Sequence, residues 1–304
     1  MADLVWEKFG RVDNYVEPFF GSGAVLLGSP RVHRTETVND LDGFVSNFWR
    51  AVTHEPKGVA KYADWPVNEN DLHARHAWLI NCRDELVPRL EGDPEYYDVK
   101  IAGWWVWGIA CWIGGEFCSG KGPWSAVDGK FVHLGNSGLG VKRKLVHLGD
   151  YGRGVNRQLV NIIDWFERLS DRLNRVRVCC GDWSRVCGPT PTFKLGTTAI
   201  FLDPPYGAEA NRDSNIYAKD SLEVAEDVRD WAINNGNNKN MRIALCGYDG
   251  EHTMPDDWAC IKWKEKGGYA KNDNNNASRE RIWFSPHCNS GIQMSIFDRP
   301  AGER

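Results

Sequence analysis

Residues 199–207 read AIFLDPPYG and predict a buried strand that ends at Asp203. The two consecutive prolines that follow lack a backbone N–H and fix φ, so the strand must stop there and the chain leaves the sheet stiffly. Ligands of open α/β sheets bind outside the carboxyl ends of the strands. We therefore expect a carboxylate and a flat aromatic ring, Asp203 and Tyr206, to meet a substrate at this point.

This turn suits the transfer of a methyl group from a sulfonium to an exocyclic amine of a nucleobase. Such an amine is a poor nucleophile because its lone pair is delocalised into the ring. Oxygen atoms that accept hydrogen bonds from its two N–H groups draw the nitrogen toward a reactive, pyramidal geometry. Asp203 and the Pro204 carbonyl are the candidate acceptors, and Tyr206 offers a stacking face worth roughly 1 to 3 kcal/mol per base. A plain strand-terminating turn with a surface tyrosine explains the same residues. The surrounding sequence is therefore needed to choose between a methyl-transfer site and a purely structural turn.

The composition restricts the class of protein. With 304 residues and 42% hydrophobic content, the chain is long enough for one large or two ordinary domains. A net charge of -4 argues against a uniformly basic surface, so contact with nucleic acid requires a local patch. The sequence has neither an apolar run of membrane-spanning length nor an amino-terminal signal, which predicts a cytoplasmic protein. The nine cysteines are predicted to be reduced, buried thiols without a disulfide framework, and no metal site is expected.

A glycine turn near the amino terminus predicts a cofactor site. Residues 14–19 read as a strand, Phe20, Gly21, Ser22 and Gly23 follow, and residues 24–27 read as a helix. A strand that turns through Gly-x-Gly into a helix brings backbone close to a cofactor. The preceding Glu17-Pro18-Phe19 adds specificity, because a carboxylate here would hold an ammonium or hydroxyl rather than a pyrophosphate.

Two further strands end in acidic residues. Residues 35–39 predict a strand followed by Asp40, the position that usually grips a ribose diol, although a plain helix N-cap for the helix at 43–52 is the alternative. Residues 177–180 predict another strand, followed by Asp182 and Trp183, which could bracket an adenine ring. Strands at 199–202, 241–247, 259–263 and 280–285, with a helix at 221–234, complete the pattern. Seven strands with helices between the early ones predict a doubly wound sheet whose last strands form a hairpin.

The middle of the chain, residues 61–175, has a different character. Leu72, Leu79 and Leu86 recur every seventh residue and predict a helical stripe, and the tryptophans that follow at 104, 105, 107 and 112 are predicted core. A glycine-rich motif beginning at His133 repeats fourteen residues later at His147. Residues 130–177 carry ten basic and four acidic side chains, the footprint expected of phosphate contact, although the helix predicted at 158–176 also fits a solvated face. The predicted DNA contacts are Lys142, Arg143, Lys144, Arg153 and Arg157.

The chain resembles the DNA adenine-N6 methyltransferases of the group that includes the bacterial DNA adenine methylase, particularly the phage and prophage versions. The matching motifs occur in the family's order and span nearly the whole chain: YVEPFFGSGAVLL (15–27), NDLD (39–42), GDW (181–183), DPPY (203–206) and RERIWFSP (279–286).

The resemblance implies a class I S-adenosylmethionine-dependent methyltransferase fold, a Rossmann-like seven-stranded sheet with an inserted target-recognition domain. It divides the chain into 1–60 and 176–304 for the methyltransferase domain and 61–175 for the insertion. It implies S-adenosyl-L-methionine as cofactor and double-stranded DNA as partner, with a cognate restriction enzyme as a further, not stable, partner. The implied cofactor contacts are Glu17, Pro18, Phe19, Phe20, Gly21, Gly23, Asp40, Asp182 and Trp183, and the implied holders of the flipped base are Asp203, Pro204 and Tyr206.

The sequence departs from the family in one place. Members usually carry a Gly-Gly-Lys ahead of the first strand, and the residues before Asn14 contain none. Either a longer form of the chain supplies it, or Glu17 or Lys8 takes its place, or the cofactor binds weakly.

Other functions fit parts of the pattern. Asp-Pro-Pro-Tyr also occurs in RNA base methyltransferases, a close variant is common in cytosine-N4 enzymes, and a DNA-binding relative that has lost catalysis would retain the same motifs. A nicotinamide dehydrogenase is compatible with the glycine turn alone, because no hydride-transfer constellation accompanies Asp203.

The repeat generates a prediction about Arg143 and Arg157, which occupy equivalent places in its two copies. Because so many glycines surround them, we expect phosphate contact rather than rigid reading of bases. Arg143→Ala and Arg157→Ala should each weaken DNA binding at low salt and lower the slope of log affinity against log salt by about 1, without changing the methylated sequence context. Fluorescence anisotropy over a salt series measures this slope, and variants that bind like the parent at every salt concentration would contradict the expectation.

Overall fold

The computed structural model describes residues 1–112, 117–118, 124–127, 130–133, 161–205, 216–262 and 279–289. The helices in these ranges are α1 Ala2–Phe9, α2 Ala24–Leu27, α3 Gly43–His54, α4 Pro56–Ala63, α5 Glu69–Gly92, α6 Val99–Cys111, α7 Ile162–Leu173 and α8 Ile216–Gly236. The strands are β1 Asn14–Glu17, β2 Thr35–Asp40, β3 Trp124–Val127, β4 Lys130–His133, β5 Val176–Cys180, β6 Thr198–Leu202, β7 Met241–Tyr248, β8 Ala259–Lys262 and β9 Glu280–Phe284.

Seven of these strands form one mixed, mostly parallel sheet in the order β5-β2-β1-β6-β7-β9-β8. β1 pairs in parallel with β2 and β6, and β6 pairs in parallel with β7. β9 runs antiparallel to both β7 and β8. The predicted α/β sheet with a terminal hairpin is therefore confirmed. The antiparallel pair β3 and β4 forms a separate sheet that the sequence analysis did not predict.

β6 lies near the middle of this sheet, and its composition explains that position. All five of its residues are buried, as expected for a strand covered on both faces and paired on both edges. Asn14 ties the start of β1 to the start of β6, since its Nδ2 donates to Thr198 Oγ1 at 3.1 Å and to the Pro191 carbonyl at 2.8 Å. The first strand and the strand with the Asp-Pro-Pro turn are thus locked in register at their beginnings.

The amino-terminal helix α1 was not predicted from the sequence. Val5, Trp6 and Phe9 are buried on one side of it. Trp6 donates its indole N–H to the Val25 carbonyl of α2 at 2.7 Å and stacks on His33 at 4.7 Å. Eight residues carry too short a periodic pattern to stand out, so tertiary packing stabilises this helix.

The chain forms two compact units, one of residues 1–38 and 183–304 and the other of residues 39–182. In the second unit the leucine stripe of α5 is confirmed, because Leu72, Leu79 and Leu86 are at most 2% exposed. Of the four tryptophans predicted to be core, Trp107 and Trp112 are buried. Trp104 and Trp105 are half-buried and pack against the core cluster that includes Phe44, Leu79 and Leu86.

All nine cysteines are free thiols. Six are buried, as predicted, whereas Cys82 and Cys179 are half-buried and Cys260 is exposed. Cys260 departs from the prediction because β8 lies at the edge of the sheet and most of its residues face solvent. Within the described part of the chain, no helix combines the length and apolarity needed to cross a membrane.

The contact between α4 and α6 depends on a glycine. A Cβ placed on Gly103 of α6 would lie 2.7 Å from the Val59 carbonyl oxygen and 3.0 Å from the Ala63 backbone nitrogen of α4. Since backbone atoms cannot move aside as a side chain can, only glycine lets the two helices approach this closely.

Gly103→Ala should therefore destabilise the protein by about 1 to 3 kcal/mol, the usual cost of overpacking a core. Gly92→Ala is the matched control, because a Cβ on Gly92 of α5 meets nothing within 4 Å. We expect it to be neutral or to stabilise by up to about 1 kcal/mol through helix propensity. Urea unfolding monitored by circular dichroism measures both, and equal stability of the two variants would contradict the packing argument.

Candidate active site

The sheet has a switch point between β1 and β6. The connection after β1 leads to β2 on one side, whereas the connection after β6 leads to β7 on the other side. Such a reversal opens a crevice at the carboxyl ends of the two strands, which is where open α/β sheets bind ligands. Glu17 is the last residue of β1, and Asp203 follows directly after β6. Two of the predicted site segments therefore lie at the same crevice, in the unit of residues 1–38 and 183–304.

Glu17 is held inside the protein rather than on its surface. It is 2% exposed, and Tyr15 Oη donates a hydrogen bond of 2.8 Å to its Oε2. Burial raises the pKa of Tyr15 well above its ordinary value, and the Glu17 carboxylate raises this pKa further. The phenol therefore stays a donor that supports the buried carboxylate. This role of Tyr15 was not predicted from the sequence, although residues two apart in a strand share a face.

Asp203 lies opposite a buried thiol of the neighbouring strand. Leu202 of β6 pairs with Leu245 of β7, so Asp203 and Cys246 are the next residues along the two strands. Burial raises the pKa of Cys246 well above its ordinary value, and the charges of Asp203, Glu280 and Glu17 raise this pKa further, in that order. These three carboxylates are thus within electrostatic reach of one thiol. Asp203 is half-buried, Pro204 is buried, and Tyr206 lies outside the described residues.

Glu280 joins this acidic group from the antiparallel strand β9. It is the first residue of β9 and pairs with Tyr248 at the carboxyl end of β7. The antiparallel direction of β9 therefore adds a carboxylate at the end of the sheet where the parallel strands stop. An acidic group that is partly withdrawn from water favours a cationic ligand. Glu280 belongs to the motif at 279–286, but no role was predicted for it from the sequence.

The glycine turn after β1 has the predicted form. Gly21 and Gly23 have φ of +46° and +66°, the left-handed region that glycine adopts without strain. A Cβ on Gly21 would meet nothing within 4 Å, so the space beside its backbone is open to a ligand. Pro18 and Phe20 are buried, which leaves their backbone rather than their side chains for cofactor contact, whereas Phe19 is half-buried.

The structure brings Phe19 and Trp183 together. Their ring centroids are 6.3 Å apart and their planes 27° apart, and Trp231 of α8 meets Trp183 edge-on at 6.2 Å. This aromatic group could support an adenine ring. Sequence reasoning identified Phe19 and Trp183 separately but missed Trp231, because nothing local to α8 indicates its partner.

Asp40 and Asp182 belong to the unit of residues 39–182. The end of β2 is tied to the residue after β5, because Asn39 Nδ2 donates to the Gly181 carbonyl at 2.9 Å and Gly181 N donates to the Asp40 carbonyl at 3.1 Å. Asp42 caps α3, since its carboxylate accepts from Phe44 N at 2.8 Å. The N-cap interpretation of Asp40 is therefore wrong. Asp40 is half-buried and Asp182 is exposed.

The predicted DNA contacts Lys142, Arg143, Lys144, Arg153 and Arg157 lie outside the described residues. The adjoining helix α7 carries two arginines and three acidic residues; it buries Ile162, Phe166 and Leu173 and exposes Arg168, so this charge lies away from its apolar side. Over the described ranges, no group of three or more His, Cys, Asp or Glu residues is arranged to hold a metal ion.

Comparison with known proteins gave no relative: no family model matches the chain, and no curated protein matches it significantly. The fold is an α/β fold, and its candidate site is acidic and partly aromatic. Its function has to be inferred from these residues.

Cys246 generates a pH prediction. Its pKa is raised in the folded state, so the folded protein keeps a proton that the unfolded chain releases above about pH 8.5. The stability that this thiol contributes is therefore complete below that pH and is lost as the pH rises. Cys246→Ala should flatten the alkaline fall in the free energy of unfolding by about 1.4 kcal/mol per pH unit.

Cys260→Ala is the comparison and should flatten the fall less, because Cys260 is exposed and burial raises its pKa less than that of the fully buried Cys246. Urea unfolding at pH 8, 9 and 10, monitored by tryptophan fluorescence, gives the slopes. Parallel slopes for the parent and Cys246→Ala would show that the thiol ionises as freely in the folded protein as in the unfolded chain.

Proposed function

We propose that this protein is a DNA methyltransferase that transfers a methyl group from S-adenosyl-L-methionine to the N6 amine of adenine in double-stranded DNA. One observation carries the proposal: Glu17-Pro18-Phe19 and Asp203-Pro204 lie at the switch point of one sheet, although far apart in the chain. These are the segments that the sequence motifs assign to the cofactor and to the target base. Ligands bind at such a switch point, so the cofactor and the base would meet there.

The strand order supports a methyltransferase over a nicotinamide dehydrogenase. A dinucleotide-binding sheet of the doubly wound class is mostly parallel, with the strand order 3-2-1-4-5-6. Here β9 runs antiparallel between β7 and β8, as expected from the predicted terminal hairpin of the methyltransferase sheet. The same strand brings Glu280 to the crevice, and a carboxylate there does not suit a pyrophosphate.

The residues of the crevice fit S-adenosyl-L-methionine. The cofactor supplies an electrophilic methyl group on a positively charged sulfur. The carboxylates of Glu17, Asp203 and Glu280 favour a cation, as their joint effect on Cys246 indicates. The open backbone at Gly21 permits close approach, and the Phe19 and Trp183 rings offer a surface for an adenine moiety.

In this proposal the Asp203 carboxylate and the Pro204 carbonyl accept hydrogen bonds from the two N–H groups of the target amine. The acceptors orient the nitrogen lone pair, and the Asp203 carboxylate stabilises the positive charge that develops on that nitrogen. The transfer would break the bond between the methyl group and sulfur and release S-adenosylhomocysteine, and the methylated nitrogen would then lose a proton to the Asp203 carboxylate. Since an amine inside a duplex is out of reach, the base has to be extruded, and Tyr206 is its assigned stacking partner.

A direct test incubates the full chain with methyl-labelled S-adenosylmethionine and either duplex DNA or RNA, followed by nucleoside mass spectrometry. The proposal predicts N6-methyladenine in DNA. Labelled N4-methylcytosine or labelled RNA alone would instead support the other two base-methylating activities. Absence of product together with absence of cofactor binding by calorimetry would indicate a non-catalytic protein.

Asp203→Asn should lower turnover by roughly 100-fold or more, because it replaces an acceptor with a possible donor and removes the stabilising charge. Cofactor affinity should change much less. Asp257→Asn, an exposed aspartate of the same unit, is the matched control and should retain full turnover. Single-turnover methylation and calorimetry measure the two quantities, and full activity of Asp203→Asn would remove Asp203 from the mechanism.

A further inference from the structure

A cavity of about 600 Å³ lies within the unit of residues 39–182. Its walls are aromatic and its polar groups few: Trp65, Trp78 and Trp104 line it together with Lys61, Asp71 and Arg75. Pockets of this volume, mostly apolar with a few convergent polar groups, are typical of small-molecule sites. None of these residues belongs to the methyl-transfer site proposed above.

Arg75 is the unusual member of this pocket. It is 7% exposed, and its guanidinium carbon lies 4.3 Å from the Trp107 ring centroid, 4.8 Å from Trp65 and 5.0 Å from Trp104. Its Nη1 has no hydrogen-bond partner among the described residues. Burial lowers the pKa of the guanidinium. Indole faces offset part of the cost of burying this cation, but they do not replace an acceptor.

The neighbouring charges favour an anion. Lys61 is exposed at the pocket, and Lys100 Nζ lies 4.3 Å from the Trp78 centroid and 4.4 Å from the Trp104 centroid. Trp104 therefore contacts two cations, Arg75 and Lys100. Asp71 is the one acidic residue among the lining residues, and its Oδ2 already accepts the Trp65 indole N–H at 2.7 Å. The site thus offers cationic donors, flat aromatic walls and a single carboxylate.

We propose that this pocket binds a guanine nucleotide, either free or within a single strand. The base would stack on the tryptophan walls, and Arg75 would donate to the adjacent acceptors O6 and N7. Asp71 would accept from the opposite edge of guanine, and Lys61 would contact the phosphate. Adenine presents a donor where guanine has O6, so arginine, which only donates, discriminates between the two bases.

Titration of the full chain with GMP and with AMP, followed by calorimetry and tryptophan quenching, tests the proposal. We expect GMP to bind at least roughly tenfold more tightly, the discrimination of one bidentate arginine contact. A second comparison uses a thymine oligonucleotide that contains one guanine and a matched oligonucleotide that contains one adenine. It distinguishes a free nucleotide from a guanine within a single strand as the ligand. Guanine preference only in the oligonucleotide identifies a strand as ligand. Equal affinity for the two bases in both forms, or binding of neither, overturns the proposal.

Variants separate ligand binding from packing. Arg75→Lys keeps the charge but loses the planar fork, so the preference for guanine should fall at least about fivefold. Lys61→Ala should weaken GMP several-fold but leave guanosine unchanged, since guanosine lacks the phosphate. Lys57→Ala is the control on the same helix, because Lys57 is exposed and pairs with Glu167.

Circular dichroism establishes whether each variant folds. If Arg75→Lys does not fold, the exposed Lys61 variant decides the question. If both folded variants bind GMP and guanosine as the parent does, the pocket does not hold a guanine nucleotide and Arg75 serves to pack three tryptophans.

Discussion

The parallel pairing of β6 with β1 on one side and β7 on the other is the constraint on which the rest of the structure depends. A strand buried on both faces cannot leave its backbone groups unpaired, so both neighbours are obligatory. This pairing fixes where the chain leaves the sheet at Asp203. It also sets the register that brings Glu17 and Cys246 to the same end.

The crevice is built from groups that are costly to bury. A buried carboxylate without hydrogen-bond donors loses far more solvation free energy than packing in the core restores, so each buried carboxylate needs a donor. Tyr15 supplies one to Glu17. Cys246 accommodates the remaining negative field by staying protonated. The carboxyl ends of the central strands thus hold one buried and two half-buried carboxylates, an arrangement that favours a positively charged ligand.

The strands of the sheet were predictable because each leaves a local mark. The apolar run before Asp203, the glycines after Phe20 and the leucines spaced seven apart are patterns of neighbouring residues. Such local patterns can be recognised in the sequence without knowledge of the fold. Trp231, Glu280 and the thiol of Cys246 could not be assigned, because their roles arise only when distant strands and a helix meet. Exposure was also hard to predict from the sequence. Cys260 and Trp104 are both apolar, yet Cys260 is exposed on an edge strand and Trp104 is half-buried because it lines a cavity.

The bond between Asn14 and Thr198 spans 184 residues of chain, and this distance has a consequence for synthesis. At about 5 to 20 residues per second, β1 waits on the order of ten seconds or more for its partner β6. Residues 39–182 are synthesised during that time, while one edge of β1 still lacks its native neighbour β6. Closing so long a loop costs little more free energy than closing a short one, but pairings of this separation form slowly. The crevice therefore forms late in synthesis, and a chain that ends before residue 198 has β1 paired on one edge only.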